Sequence, residues 1–306
     1  MGLVDDVTGT ITHGYSVARY IRTAFTGAVC RLHETTGGTE QDFKIVAGAL
    51  VTDDVNEDSV ATWLTDAGAS APAVIADIYD QVGSLTLSQA TEANMPQLDE
   101  AYVNSKPGAD ATDTTTTWLE TANYDPETGS GNTIIGVFKN IETTNLSNMG
   151  VVTNNATTLL GLFSSHLSGT GNKTYRYLHE FGFDASTPTF TDDNARVISG
   201  VTPTGGGSVS CFIREDGTLE DTSGASVADG RNRPLVVFAA STGGGTPFGG
   251  GSPEFIITEN ELSASDISIV ECDMGDFYAV TVAGCSVPTP DPFIGTQFLQ
   301  TLGVGT

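Results

Sequence analysis

The sequence predicts an all-β fold with short helices and extended terminal arms, and three observations carry it. Ala28, Cys30 and Leu32 take every second position, the period of a half-buried strand. From residue 133 onward short apolar runs follow one another, separated by Gly, Asn and Asp clusters, the pattern of a sandwich or barrel. Helical spacing is confined to two short stretches. A chain of 306 residues of this type fits one large domain, and the expected division is an arm over 1–13, a sandwich over 14–285 and an extended arm over 286–306.

In chain order, residues 15–32 read as a first hairpin with Gly27 between its halves. Thr36-Gly37-Gly38-Thr39 is a turn, and 41–50 a strand with Phe43, Ile45 and Ala47 on one face. Asn56 is the expected cap of a short helix, with Glu57 and Asp58 in its first turn, Val60, Trp63 and Leu64 at helical spacing and Gly68 as its stop. A strand follows over 74–79. Residues 101–132 lose periodicity and read as a surface excursion around Trp118 and Leu119.

Strands are then expected over 133–138, 157–164, 174–183, 195–201, 208–214 and 234–240, with Glu215-Asp216-Gly217-Thr218 as a hairpin turn. Residues 241–253 read as a Gly-rich loop leading into a strand over 254–258. Ser263 and Asp266 have capping-box spacing and open a helix through Val270. Pro288, Pro290 and Pro292 mark the C-terminal segment as extended. Its Phe293, Ile294, Phe298 and Leu299, like Leu3 and Val4 at the other end, lie outside the sandwich and are expected to pack on neighbouring subunits.

Residues 15–22, Phe25-Thr26-Gly27-Ala28, Arg31, Gln41-Asp42-Phe43, Tyr79-Asp80-Gln81 and the segment 89–96 resemble the opening of the catalytic domain of the α-L-arabinofuranosidase B family and of its tailed-phage relatives. The resemblance covers the first third of the chain. It implies a concanavalin A-like, laminin-G-like β-sandwich (jelly roll), with a helix before the Tyr-Asp-Gln strand and a closing strand-then-helix phrase. Through the phage relatives it implies a structural protein of a virion, as head decoration, neck or tail and fibre component. Such a protein would be assembled in the host cytoplasm, partnered by other virion proteins, homo-oligomeric and in contact with host-surface glycans. A glycoside hydrolase of arabinofuranosidase type is the alternative, and a carbohydrate-binding lectin domain the third reading. Where the family reads Tyr-Asp-Gln-Ser-Gly-Asn-Gly, this chain has Tyr79-Asp80-Gln81-Val82-Gly83-Ser84. The family's Gly-rich loop carries a catalytic aspartate, whereas 241–253 holds no acid. On that ground no catalytic residue is assigned and the chain is expected not to be an enzyme.

Composition narrows the partners. Asp and Glu number 38 against 12 Lys and Arg, a formal charge of −26, which repels nucleic acid and anionic membrane surfaces. With only four lysines, the acidic excess suggests a saline, marine source. Met1 to Asp6 has no basic run, so no secretory signal is expected, and no apolar run reaches the roughly 20 residues of a membrane span. Cys30, Cys211, Cys272 and Cys285 form no Cys-x-x-Cys pair and are expected as buried thiols. His13, His33, His166 and His179 form no metal-binding pair. No cofactor is expected; Ca²⁺ on loop acids is the one metal that the resemblance suggests, without an Asp-x-Asp-x-Asp-Gly loop to hold it.

Tyr79, Asp80 and Gln81 are expected to be structural, Tyr79 in the core and the polar pair bonded to a neighbouring loop or to Arg22 or Arg31. Trp118, Tyr124, Tyr175, Tyr177 and Phe248 are the candidates for exposed rings that stack on a glycan. The acid pairs Asp5-Asp6, Asp53-Asp54, Asp192-Asp193 and Asp273 with Asp276 read as solvated surface groups.

Overall fold

The structure is a computed structural model, and it describes residues 2–69, 72–111, 117–124, 131–141, 149–154, 160–167, 172–179, 183–204, 209–226, 233–241 and 245–285. The chain is all-β, with antiparallel pairing throughout and two α-helices among the described residues. Nineteen strands join in one branched sheet. The strand Gly250–Thr258, buried along its whole length, lies at its centre and pairs with His13–Ser16, Asn132–Asn140 and Lys106–Ala111. From Asn132–Asn140 the order continues through Ala195–Thr202, Val209–Glu215 and Thr218–Ser226. A second run leads from Ala49–Thr52 through Glu40–Val46, Cys30–His33 and Val74–Ile78. It goes on through the short strand Leu87–Ser88 to Leu119–Tyr124, then Arg233–Val237, Met149–Asn154, Leu160–Leu167 and Asn172–His179. The larger apolar core takes Phe138, Ile198 and Phe255 from the first run and Leu32, Leu162, Tyr175 and Val237 from the second. Burial of this cluster stabilises the fold at about 25 cal/mol per Å² of apolar surface.

A second core lies beneath α2 (Ala264–Tyr278). Ile267, Val270, Met274 and Tyr278 bury one stripe of this helix against Ile135, Val137, Val197 and Val201, the spacing of an amphipathic helix. Ser263 caps it, accepting from the Asp266 amide at 3.1 Å while Asp266 accepts from the Ser263 hydroxyl at 2.8 Å. The helix runs eight residues beyond the expected stop at Val270, because the stripe continues past Cys272 and Gly275, which break the apolar pattern without breaking the periodicity. The shorter helix α1 (Val60–Asp66) is capped by Ser59 rather than Asn56. Asp54 turns the preceding segment, accepting from the amides of Asn56 and Glu57, so the acids 57 and 58 precede the helix.

Several elements differ from the reading of the sequence. Residues 15–32 form no hairpin: His13–Ser16 pairs with Gly250–Thr258, while Cys30–His33 pairs with Glu40–Val46 and Val74–Ile78. The excursion over 101–132 contains strands, as does the glycine stretch before Pro253. There Gly251 allows the strand to approach its neighbour, for a Cβ would lie 1.9 Å from the Ala109 carbonyl oxygen. The N-terminal segment is held to the body. Leu3 is 2% exposed in the second core with Ile11 and Ile21, the Val4 amide donates to the Ile21 carbonyl at 3.0 Å, and Thr8 donates to Asp266. Leu3 and Val4 are therefore corrected from assembly contacts to intramolecular packing. Phe293, Ile294, Phe298 and Leu299 lie outside the described residues.

The cysteines are corrected as well: Cys30 and Cys211 are buried thiols, but Cys272 and Cys285 are joined, 13 residues apart. The bridge closes the segment after α2 onto the helix. Breaking it with reductant or with Cys285→Ser is expected to lower stability by up to about 3 kcal/mol, as loop closure of this length implies, read by denaturant melts. An unchanged midpoint would show that the bridge adds nothing. No helix among the described residues is long and apolar enough to cross a membrane.

Candidate functional site

A cleft of about 700 Å³ forms where several strand ends meet. Register explains the convergence: Lys139 pairs with Ala195 at one end of the first run, and Ile198 pairs with Glu215, so the start of Ala195–Thr202 and the end of Val209–Glu215 reach the same edge. The hairpin tip Asn104-Ser105, with φ of 47° and 64°, closes one side and residues 279–281 another. Gly217 is required in the turn beside Asp216. Its φ is +82°, and a Cβ there would lie 2.5 Å from the Ala283 carbonyl oxygen.

Two residues with neighbouring carboxyl groups, Glu215 and Asp216, line this cleft. Glu215 accepts from Arg196 Nε at 2.6 Å, and Arg196 is also held by Asp192 at 2.9 Å and lies over the Phe190 ring. Burial nevertheless pushes the Glu215 carboxyl above the ordinary glutamate range, against the pull of Arg196. Asp216 is pushed up to about 6, again chiefly by burial, with the Val197 amide at 2.8 Å opposing the shift and Glu215 adding to it. Its φ of 46° is left-handed, a conformation that Asp tolerates better than most residues. The segment after α2 fixes the turn, since the Ala283 amide donates to the Asp216 carbonyl at 2.7 Å. Beneath the rim, the 4%-exposed Lys173 donates to the Asn140 carbonyl at 2.8 Å and to Asp193.

A pair of adjacent carboxyls, one titrating at about 6 and the other bonded to a guanidinium, is equipment suited to general acid catalysis beside a second carboxyl group. Among the described residues no group of His, Cys, Asp and Glu is arranged to hold a metal ion.

The residues singled out from the sequence lie elsewhere. Asp80 is buried and accepts from His13 Nδ1 at 2.5 Å and from the amides of Gly14, Val82, Gly83 and Leu85, which together hold its carboxyl below the usual range despite burial. Gln81 accepts from the Ile21 amide and donates to the Ser16 and Arg19 carbonyls. Both are structural, but the expected arginine partners are corrected. Arg22 is exposed, and Arg31 is bonded to Asp42 at 2.9 Å and paired with Asp77 at 3.3 Å. Tyr79 is half-buried rather than in the core, its hydroxyl donating to Asp42 at 2.6 Å.

Of the expected glycan-stacking rings, Tyr175, Tyr177 and Phe248 are 0% exposed and are corrected to core residues. Tyr175 stacks on Phe190, and Phe248 on Phe238. Tyr175 and Tyr177 sit two apart on one strand and so share its inward face. Trp118 is half-buried, and the side chain of Tyr124 lies outside the described residues.

No family model matches the sequence, and no curated protein matches it. Solved structures do. A GH54 α-L-arabinofuranosidase soaked with 4-nitrophenyl α-L-arabinofuranoside superposes with a TM-score of 0.65 at 13% identity, covering 90% of this chain and 65% of the other. An arabinofuranosidase complexed with arabinofuranosyl-α-1,2-xylobiose gives 0.65 and 13%, covering 90% and 64%. The likeness is one of fold. The chain spans just under two thirds of the length of these arabinofuranosidases. The expectation that the chain is not an enzyme is corrected by this finding, because these two structures, which share its fold across nine tenths of its length, are arabinofuranosidases. That expectation rested on a glycine stretch without acids, whereas the perturbed carboxyls sit on the hairpin turn at 215–216.

Proposed function

We propose that the chain cleaves glycosidic bonds in the Glu215–Asp216 cleft, on a concanavalin A-like sandwich whose two layers are the two strand runs. The observation that carries this reading is a pair of adjacent carboxyls in one cleft, both raised and one to about 6. Asp216 donates its proton to the leaving oxygen as the bond from that oxygen to the anomeric carbon breaks. Glu215, bonded to Arg196, supports as carboxylate the positive charge that develops at that carbon, and water completes the exchange, returning a proton to the site. The arabinofuranosidase likeness supports a pentofuranoside as the first substrate to try. The Cys272–Cys285 disulfide fits work outside a reducing cytosol.

The test is release of nitrophenol from a panel of aryl glycosides led by 4-nitrophenyl α-L-arabinofuranoside. The wild type is expected to turn over at least one member, and Glu215→Gln to lose that turnover while still melting cooperatively as a folded protein. Absence of release across the panel, or full activity in Glu215→Gln, would overturn the reading.

A further inference from the structure

The chain has 38 acids and 12 bases, so a cation without an acidic partner is unusual. Most described cations have one: Arg19 with Glu254, Arg31 with Asp42, Lys44 with Glu57, Lys173 with Asp193, Arg196 with Glu215 and Arg214 with Glu271. Lys139 lines the cleft and has no carboxylate partner among the described residues. Its ammonium lies 5.0 Å from the centre of the Tyr102 ring and makes one long bond, 3.4 Å, to the Tyr102 carbonyl. Asp193 lines the same cleft, yet it is engaged from below by the buried Lys173. Arg196 is likewise occupied by Glu215 and Asp192.

The cleft thus keeps one ammonium clear of the protein's own acids. Its seat is a rigid strand end, Lys139 being paired on both sides with Ala195 and Gly251, and the Tyr102 ring limits where the charge can move. Neutral sugars need hydroxyl partners, which carbonyls and amides supply, whereas an unpaired ammonium beside a ring matches a carboxylate.

Resting on the hydrolase reading of this cleft, we propose that Lys139 is a specificity-determining residue that binds the carboxylate of an acidic sugar, making the substrate a uronate-containing or otherwise carboxylated glycan. Carboxylate recognition at Lys139 then selects, from the glycans that fit the cleft, those that carry a charge in the sugar next to the cleaved bond. This separates the chain from enzymes of the same fold whose ligands are neutral pentosides.

The experiment is calorimetric binding to the full chain at low ionic strength. The probes are oligogalacturonides, glucuronate oligosaccharides and N-acetylneuraminyl-lactose, each set against its methyl-esterified form, which keeps the shape and removes the charge. At least one free acid is expected to bind about tenfold or more tighter than its ester. Lys139→Met should abolish that difference and Lys139→Arg should keep most of it. If none of the free acids outbinds its ester, or if Lys139→Met leaves the preference intact, the proposal is overturned. Charge-selective binding without aryl glycoside release retains the carboxylate site and removes the hydrolase reading. Release of neutral glycosides without any preference for the acids does the reverse.

Discussion

Replacing Arg19 by Met is expected to destabilise the protein by about 3–5 kcal/mol, the typical cost of stranding one member of a buried ion pair. Arg19 Nε and Nη2 hold both oxygens of Glu254, at 2.8 and 2.7 Å. Glu254 is 1% exposed and sits in the fully buried central strand; its remaining partner would be the Tyr278 hydroxyl at 3.0 Å. The Arg19 guanidinium also reaches Asp273 at 2.6 Å and stacks over the Phe277 ring, so one side chain ties the segment after His13–Ser16 to the central strand and to α2. Denaturant melts check the value. The double variant Arg19→Met with Glu254→Met should recover much of the loss, since an apolar pair strands no charge. A single-variant loss under about 1 kcal/mol would show that water reaches Glu254 and that the pair is not the lock described.

This arginine shows where the sequence is silent. Residues 15–22 stood out, and the all-β class, α1 around Val60 and Trp63 and the capped start of α2 were legible from local periodicity. Periodicity says which face of a strand is apolar, but not which arginine meets which carboxylate across 235 positions, as Arg19 and Glu254 do. Arg22 and Arg31 were equally good choices on sequence. The same limit hid the identity of strand neighbours: residues 13–16 and 30–33 are close in sequence and join different partners. Tyr175 and Tyr177 read as glycan-stacking rings because an aromatic pair two residues apart marks one face of a strand, and the sequence does not show what covers that face. The glycines before Pro253 read as a loop because the residue that serves a turn also serves two backbones in close approach.

The candidate site was the least legible part. Glu215-Asp216-Gly217-Thr218 is a hairpin turn on sequence and in the structure, and its chemistry comes from what packs around it. Val280 and Thr281, 64 and 65 residues further on, line the same cleft as Asp216, and Ala283 bonds its carbonyl. Desolvation of this kind leaves no mark on the local sequence beyond two adjacent acids, and the chain has several such pairs.

Replacing Asp216 by Asn is expected to move activity and stability in opposite directions. As proton donor, Asp216 should account for about 10²–10⁴-fold in rate, and an amide has no proton to give at neutral pH. Stability follows from linkage. The Asp216 carboxyl titrates at about 6 in the folded chain, against 3.8 for an ordinary aspartate. A raised acid binds more protons folded than unfolded, so its contribution is favourable below about pH 4, is lost as the pH climbs through 6, and leaves a penalty above that. Asn keeps the acceptor for the Val197 amide, fits the left-handed backbone at φ 46° and carries no charge to desolvate. At pH 7.5 the variant should therefore be more stable by about 1–2 kcal/mol, after allowing for solvent screening of a half-buried group, and at pH 4 the two proteins should melt together. Paired melts at the two pH values, alongside aryl glycoside assays, read both effects. A variant destabilised at both pH values would mean that Asp216 is a structural turn residue whose charge the fold needs, and the proton-donor role would then have to leave this turn.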